Sequence, residues 1–302
     1  MSELQALSNQ FAEVVEQAGR FIVTVNARSR PSSGIHWRPG VIVTADHTIK
    51  REEDITVTLG DGRTIAATLV GRDSSIDLAI LKIEDTDLPV AEISDTSSLK
   101  VGHLVLAVGR FGGSNLTAGM GIIGALDGPW RRWWGGSAAD QFARLDLMPF
   151  IGFSGSPLLD ASGRVLGINT PGPRRMVISI LAPTANRAID QLLEKGRISR
   201  GYLGLSMQAA PLLETLRNRH KLPNETGVIV VNVEAGGPAD SSGVLLGDVL
   251  VAVEGHPATD TGEVLGMLSP DRVGKTVNAQ ILRGGELLEL AIAVGERPRR
   301  DD

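Results

Sequence analysis

The chain has 302 residues, 42% of them hydrophobic and 22% charged, with a formal net charge of -5 and no cysteine. That length suggests two domains, and that charge gives no bias toward nucleic acid or an anionic membrane surface. The missing cysteine excludes disulfides, thiolate metal sites and a cysteine nucleophile together.

Residues 2–18 place Leu4, Leu7, Phe11, Val14 and Val15 at helical spacing behind a capping Ser2. This predicts a helix packed either on its own domain or on a neighbouring subunit. Met1-Ser2-Glu3-Leu4-Gln5 has no basic n-region, and no apolar run is long enough to span a bilayer. As it stands, the chain is expected in the cytoplasm, without a membrane span. From Phe21 the pattern changes to short apolar runs over 21–25, 40–45, 55–59, 64–70, 77–83, 103–108 and 120–126. They are separated by turns such as Gly60-Asp61-Gly62, Gly71-Arg72-Asp73 and Gly112-Gly113-Ser114. Short strands at this spacing, without alternating long helices, predict an antiparallel barrel or sandwich rather than a doubly wound fold. A helix is expected over 183–198 and a linker near 197–201.

The remaining segment reads as one compact unit. Strands are predicted over 202–207, 227–233 and 249–254, and helices over 212–220 and 261–268. A short helix opens at Gly236-Gly237-Pro238-Ala239, and a hairpin of 276–283 and 286–294 turns at Gly284-Gly285. The tail from Glu296 is charged and expected to be loose. The domain expectation is a helix over 1–20, a β domain over 21–197 and a second domain over 201–297.

The most telling stretch is Gly152-Phe153-Ser154-Gly155-Ser156-Pro157, followed by a turn at Asp160-Ala161-Ser162-Gly163 and a strand over 164–169. A serine between glycines, inside a hairpin, suits a nucleophile beside an oxyanion hole. It needs a base and an orienting acid. Of five histidines, His47 sits where the run from Val41 to Ala45 ends, a rigid strand end that holds an imidazole still. Asp77 heads the apolar run 78–83 and is the candidate acid, with Asp73 as its rival in a turn. Histidine, aspartate, serine is the order of the chymotrypsin arrangement, whereas an α/β-hydrolase places its histidine last. The histidines are scattered without paired ligand spacing, so no metal and no cofactor is expected.

With these segments together, the chain resembles the trypsin-like serine proteases of the HtrA/Deg family followed by one PDZ domain. Val43-Thr44-Ala45-Asp46-His47 is similar to that family's histidine segment, and 71–81 to its aspartate segment. Gly152-Phe153-Ser154-Gly155-Ser156-Pro157-Leu158, with Gly167-Ile168-Asn169-Thr170, is similar to its serine segment. The resemblance implies a mainly β protein, a chymotrypsin-like double β-barrel with the site between the barrels. Ser154 would attack the peptide carbonyl, His47 would carry the proton and Asp77 would orient the imidazole. The N–H groups of Gly152 and Ser154, with Phe153 contributing, would form the oxyanion hole. Phe153 and Ser156 depart from the asparagine and glycine usual in the family.

Phe150, Ile151 and the Ile168-Asn169-Thr170 segment are expected to line the specificity pocket. Without a carboxylate there, cleavage is expected after small or medium aliphatic residues. Arg200-Gly201-Tyr202-Leu203-Gly204-Leu205 is similar to a PDZ carboxylate-binding loop. There Tyr202 and the N–H groups of Leu203, Gly204 and Leu205 would meet a peptide C-terminus, with Val264, Met267 and Leu268 facing its last side chain. The resemblance further implies an ATP-independent endopeptidase for unfolded or damaged proteins, with chaperone character, assembled as a homotrimer. The rival expectation is a catalytically idle barrel whose PDZ domain recruits partners.

Overall fold

The computed structural model describes residues 2–27, 31–84, 87–111, 115–126, 141–172, 176–196, 201–268 and 272–296. They divide into two compact units, 2–196 and 201–296. The turn expected at 112–114, the linker residues 197–200 and the tail beyond Glu296 lie outside the described residues.

The first unit opens with α1 (Glu3–Ala18), whose Ser2 hydroxyl accepts the Gln5 N–H at 3.3 Å. Six strands follow: β1 (Ile22–Asn26), β2 (Ser32–Arg38), β3 (Val41–Thr44), β4 (Ile55–Thr58), β5 (Thr64–Asp73) and β6 (Leu78–Ile83). They close into a barrel in the order β1-β2-β3-β6-β5-β4. A second barrel joins β7 (Leu104–Arg110), β8 (Leu116–Leu126), β9 (Phe142–Asp146), β10 (Pro157–Leu159), β11 (Val165–Pro171) and β12 (Val177–Leu181), in the order β10-β11-β12-β9-β8-β7. Closure removes the free edges that an open sheet would expose. After it, α2 (Ala182–Lys195) ends at Gly196, which takes a left-handed φ of 67°.

The apolar runs are unbroken because both faces of these strands are buried. On β3, Ile42 points into the first barrel with Val23, Val25, Val57 and Leu81. Val41 and Val43 point the other way. There, with Ile22, Leu78 and Ile80, they meet Val108, Phe142, Val165, Ile168 and Ile180 of the second barrel. Alternate residues of one strand thus serve the barrel interior and the seam between barrels.

Three strands, β2, β9 and β12, go beyond the sequence pattern. Ser32-Ser33-Gly34-Ile35-His36-Trp37-Arg38 is not among the predicted strands, yet β2 is paired on both sides, Gly34 with Val23 and with Thr44. A Cβ at Gly34 would lie 2.8 Å from methyl groups of Ile42 and Val25.

The second unit holds β13 (Gly201–Tyr202), β14 (Leu205–Pro211), α3 (Glu214–His220), β15 (Thr226–Val233), α4 (Pro238–Ser241), β16 (Val249–Val253), β17 (His256–Pro257), α5 (Thr261–Met267), β18 (Thr276–Arg283), β19 (Glu286–Ala293) and β20 (Gly295–Glu296). Its main sheet runs β14-β15-β16-β18-β19, so β14 is an edge strand, with α5 alongside it. The single strand expected over 202–207 is divided: β13 pairs with β20, and β14 starts afresh after Leu203-Gly204.

Candidate active site

His47 lies in the 3₁₀ turn Asp46–Thr48 directly after β3, and Asp77 stands directly before β6. These strands are neighbours, with Thr44 opposite Ala79, so their ends bring the two side chains together. Asp77 has a left-handed φ of 57°, which aspartate tolerates better than most residues. Its Oδ1 accepts the His47 backbone N–H at 2.7 Å, and its Oδ2 accepts the Nδ1–H of the imidazole at 2.7 Å. Because the partner is a carboxylate, Nδ1 carries the proton and Nε2 keeps its lone pair. Thr170 donates its hydroxyl to the same Oδ2. The rival Asp73 is occupied, accepting the N–H and hydroxyl of Ser75 at 2.9 and 2.6 Å. Asp46 faces Arg72, 3.7 Å away.

Ser154 sits on a turn whose backbone is fixed from several sides. Gly152 and Gly155 adopt φ of 87° and 78°, where only glycine is at ease. Gly155 donates to the Asn169 carbonyl at 2.9 Å, and the Ser154 carbonyl accepts the Ser33 N–H at 3.1 Å. A Cβ at Gly155 would fall 2.2 Å from the Ser33 carbonyl oxygen and 2.5 Å from Thr44 Oγ1. The nucleophile turn is therefore pressed against the strand end that carries His47. Ser154 itself is half-buried.

The backbone N–H groups of Gly152 and Ser154 have no acceptor among the described residues. Phe153 differs: its N–H donates to the Phe150 carbonyl at 3.0 Å. This corrects the expectation that Phe153 contributes to the oxyanion hole, since that donor is spent in closing the turn. The two departures from the family pattern each find a place. The Phe153 ring is buried in the second barrel, edge-on to Phe150 at 5.6 Å. Ser156 is fully buried, and its hydroxyl accepts the Asn169 amide at 3.1 Å.

A cleft of about 430 Å³ opens beside Ser154, lined in part by Ser32, Phe111, Phe150, Ile151 and Gly152. Ile168, Asn169 and Thr170 do not line it, which corrects the sequence expectation for that segment. Ile168 is fully buried in the seam between the barrels, Asn169 binds Ser156 and the Pro157 carbonyl, and Thr170 serves Asp77. All three are fully buried, Ile168 and Thr170 on the seam face of β11 and Asn169 on the opposite face, so none reaches the cleft. Ser33, whose hydroxyl bonds the Gly152 carbonyl at 2.6 Å, carries no signal in the sequence beyond its place before a glycine.

In the second unit, the Leu203 carbonyl accepts the Ala239 N–H and the Gly204 carbonyl accepts the Glu234 N–H, both at 2.8 Å. Across a trans peptide the next N–H points the opposite way, so those of Gly204 and Leu205 face outward. They stand at the start of the open edge of β14. Met267, Leu205 and Met207 give this groove half-buried apolar surface. Val264 and Leu268, expected to face a ligand, are core residues at 0% and 4% exposure. Tyr202 gives its hydroxyl to Glu234.

Two closed six-stranded barrels with a His–Asp pair at their seam, joined to a unit with an open peptide edge, define the class: a trypsin-like peptidase fold with a PDZ domain. Family models agree, the trypsin-like peptidase domain matching residues 32–168 and the PDZ domain residues 201–294. The chain is 32% identical over 271 residues to a probable periplasmic serine endoprotease, DegP-like, of Chlamydia pneumoniae, covering 87% of this chain and 54% of that protein. A protein of the same name from Hahella chejuensis is 32% identical over 286 residues, covering 91% and 59%. The chain thus spans little more than half the length of these curated relatives. Among solved structures, the serine endoprotease from Yersinia pestis matches with a TM-score of 0.75 and 29% identity, over 95% of this chain and 98% of that one. The HtrA-type protease AlgW with a decapeptide matches with a TM-score of 0.76 and 26% identity, over 96% and 99%. The chain belongs to the HtrA/Deg-type trypsin-like serine proteases that carry a PDZ domain.

The cytoplasmic expectation is overturned by these relatives, which are named periplasmic and point to an extracytoplasmic location. It rested on the first residues of the chain, and those residues do not determine the compartment. Among the described residues, no helix is long and apolar enough to cross a membrane.

Proposed function

We propose that this chain is an ATP-independent serine endopeptidase that cleaves unfolded or damaged protein segments and senses peptides through its PDZ domain. The observation that carries this is the Asp77 carboxylate bound to His47 through both the backbone N–H and Nδ1, beside a serine on a glycine turn. In this mechanism His47 Nε2 takes the Ser154 proton as Oγ bonds to the peptide carbonyl carbon. The carbonyl oxygen becomes an oxyanion facing the N–H groups of Gly152 and Ser154. The imidazolium, held by Asp77, then gives its proton to the leaving amine, and water repeats the sequence on the acyl-enzyme.

Among the described residues, the cleft next to Ser154 has no carboxylate in its lining, which supports a preference for apolar, small or medium aliphatic residues. Phe150 and Ile151 carry that preference. A substrate C-terminus would dock on the outward N–H groups of Gly204 and Leu205 and extend as a strand along β14. Assembly as a homotrimer follows from the family resemblance.

A fluorophosphonate probe tests nucleophile activation without knowledge of the substrate. Wild type is expected to label and to digest casein, and Ser154→Ala to do neither. A wild type that takes no label and leaves casein intact would instead favour the idle scaffold.

A further inference from the structure

We propose that Ser33 is a positioning residue of the oxyanion turn, acting through its hydroxyl on Gly152. This rests on the peptidase function proposed above and adds a residue to its machinery. Ser33 belongs to β2 of the first barrel, whereas Gly152 belongs to the second. Its side chain is fully buried. The hydroxyl oxygen accepts the Arg110 N–H at 2.9 Å, which turns its single proton toward two carbonyls. One is Gly152 O at 2.6 Å and the other Arg110 O at 3.2 Å. One proton serves one strong bond, and the shorter contact is the one it makes.

The consequence for the turn follows from its backbone. A glycine at a φ of 87° has no side chain to limit its two torsions, so the N–H it presents is held only by its neighbours. Ser33 on the Gly152 carbonyl and Phe150 on the Phe153 N–H hold the two sides of one peptide plane, the one that lies between the two oxyanion donors. Arg110 packs under the same residue: a Cβ on Gly152 would lie 3.1 Å from the Arg110 carbonyl oxygen. Ser33 also holds the nucleophile's own carbonyl through its backbone N–H, and its carbonyl is tied to Thr44 Oγ1 at 2.7 Å. One residue of the histidine-bearing barrel thus holds the peptide between the two oxyanion donors, and the nucleophile's own carbonyl, against the strand leading to His47. Oxyanion donors act only when their position is set before the charge forms.

The test compares two reactions at residue 154. Fluorophosphonate labelling builds charge on an oxygen in the oxyanion hole. Alkylation of a Ser154→Cys nucleophile by iodoacetamide builds none, and reports only access and activation by His47. Ser33→Ala is expected to slow fluorophosphonate labelling about tenfold and to lower kcat similarly, with KM nearly unchanged. In the Ser154→Cys background the same substitution is expected to leave alkylation at position 154, read by mass spectrometry, within about twofold. Where the alanine variant does not unfold cooperatively, Ser33→Cys, which fills the site with a weak donor, is read against the same outcomes. Equal labelling rates for wild type and variant overturn the proposal, as does a parallel fall in labelling and alkylation. A wild type that never labels rejects the peptidase function itself.

Discussion

At the scale of single residues, the carboxylate of Asp77 is the best-supplied atom group of the site. It accepts from the His47 N–H, the His47 imidazole and the Thr170 hydroxyl. Thr170 comes from the second barrel, so the acid of the first barrel is oriented partly from across the seam. Removing that donor while keeping the shape, Thr170→Val, leaves a nearly buried carboxylate with one bond fewer. A hydrogen bond to a charged group contributes about 1.5 kcal/mol, so kcat/KM on a peptide substrate is expected to fall about tenfold. An unchanged kcat/KM would show that His47 alone suffices to hold the acid. Phe153 illustrates the same dependence on surroundings. Placed beside the nucleophile in sequence, its ring turns away into apolar packing, and only its backbone shapes the turn.

At the scale of elements, the second unit is tied across its sheet by an ion pair at one strand end. Asp248 precedes β16, and Arg283 ends β18, where Val249 pairs with Leu282. The Asp248 side chain is 2% exposed and binds the Arg283 guanidinium at 2.8 Å through both oxygens. Burial by itself would raise the pKa of this carboxyl. Hydrogen bonds from Arg283 and from the Leu245 N–H, with the arginine charge, outweigh burial and hold it below the ordinary carboxylate value. A depressed pKa contributes stability that is complete above the unfolded carboxylate pKa and is lost as pH falls through the folded one. The PDZ unit is therefore expected to unfold at a lower temperature in acid, below about pH 4. Asp248→Asn should lower stability by about 2 kcal/mol at neutral pH and flatten the acid side of the profile. A profile identical to wild type would remove the pair from the account.

At the scale of the whole molecule, α1 leaves part of its apolar stripe uncovered. Val14 and Ala18 are buried against the barrels, while Leu4 and Leu7 are 79% and 45% exposed. That suits the assembly proposed above, with the first half of the helix available to another copy. Light scattering is expected to give three times the mass of one chain, and Leu4→Asp with Leu7→Asp to lower it without abolishing fluorophosphonate labelling. A monomer mass for the unaltered protein would reject the trimer.

Much was legible in the sequence alone. Strand periodicity and glycine turns, which are local features, predicted an antiparallel barrel or sandwich and a second compact unit, and the order of His47, Asp77 and Ser154 marked three candidate catalytic residues; the double barrel and the PDZ domain followed from the family resemblance that these segments carry. The tertiary structure decided what depends on closure. It made a strand of a serine- and glycine-rich segment by pairing it on both sides. It buried Ile168, Asn169 and Thr170 away from the substrate cleft, and spent the Phe153 N–H inside its own turn. It also brought Ser33, 119 residues away in sequence, onto the Gly152 carbonyl. Periodicity records which face of a strand is buried, but not which distant group it meets there; that is determined only when the barrels close and pack against each other.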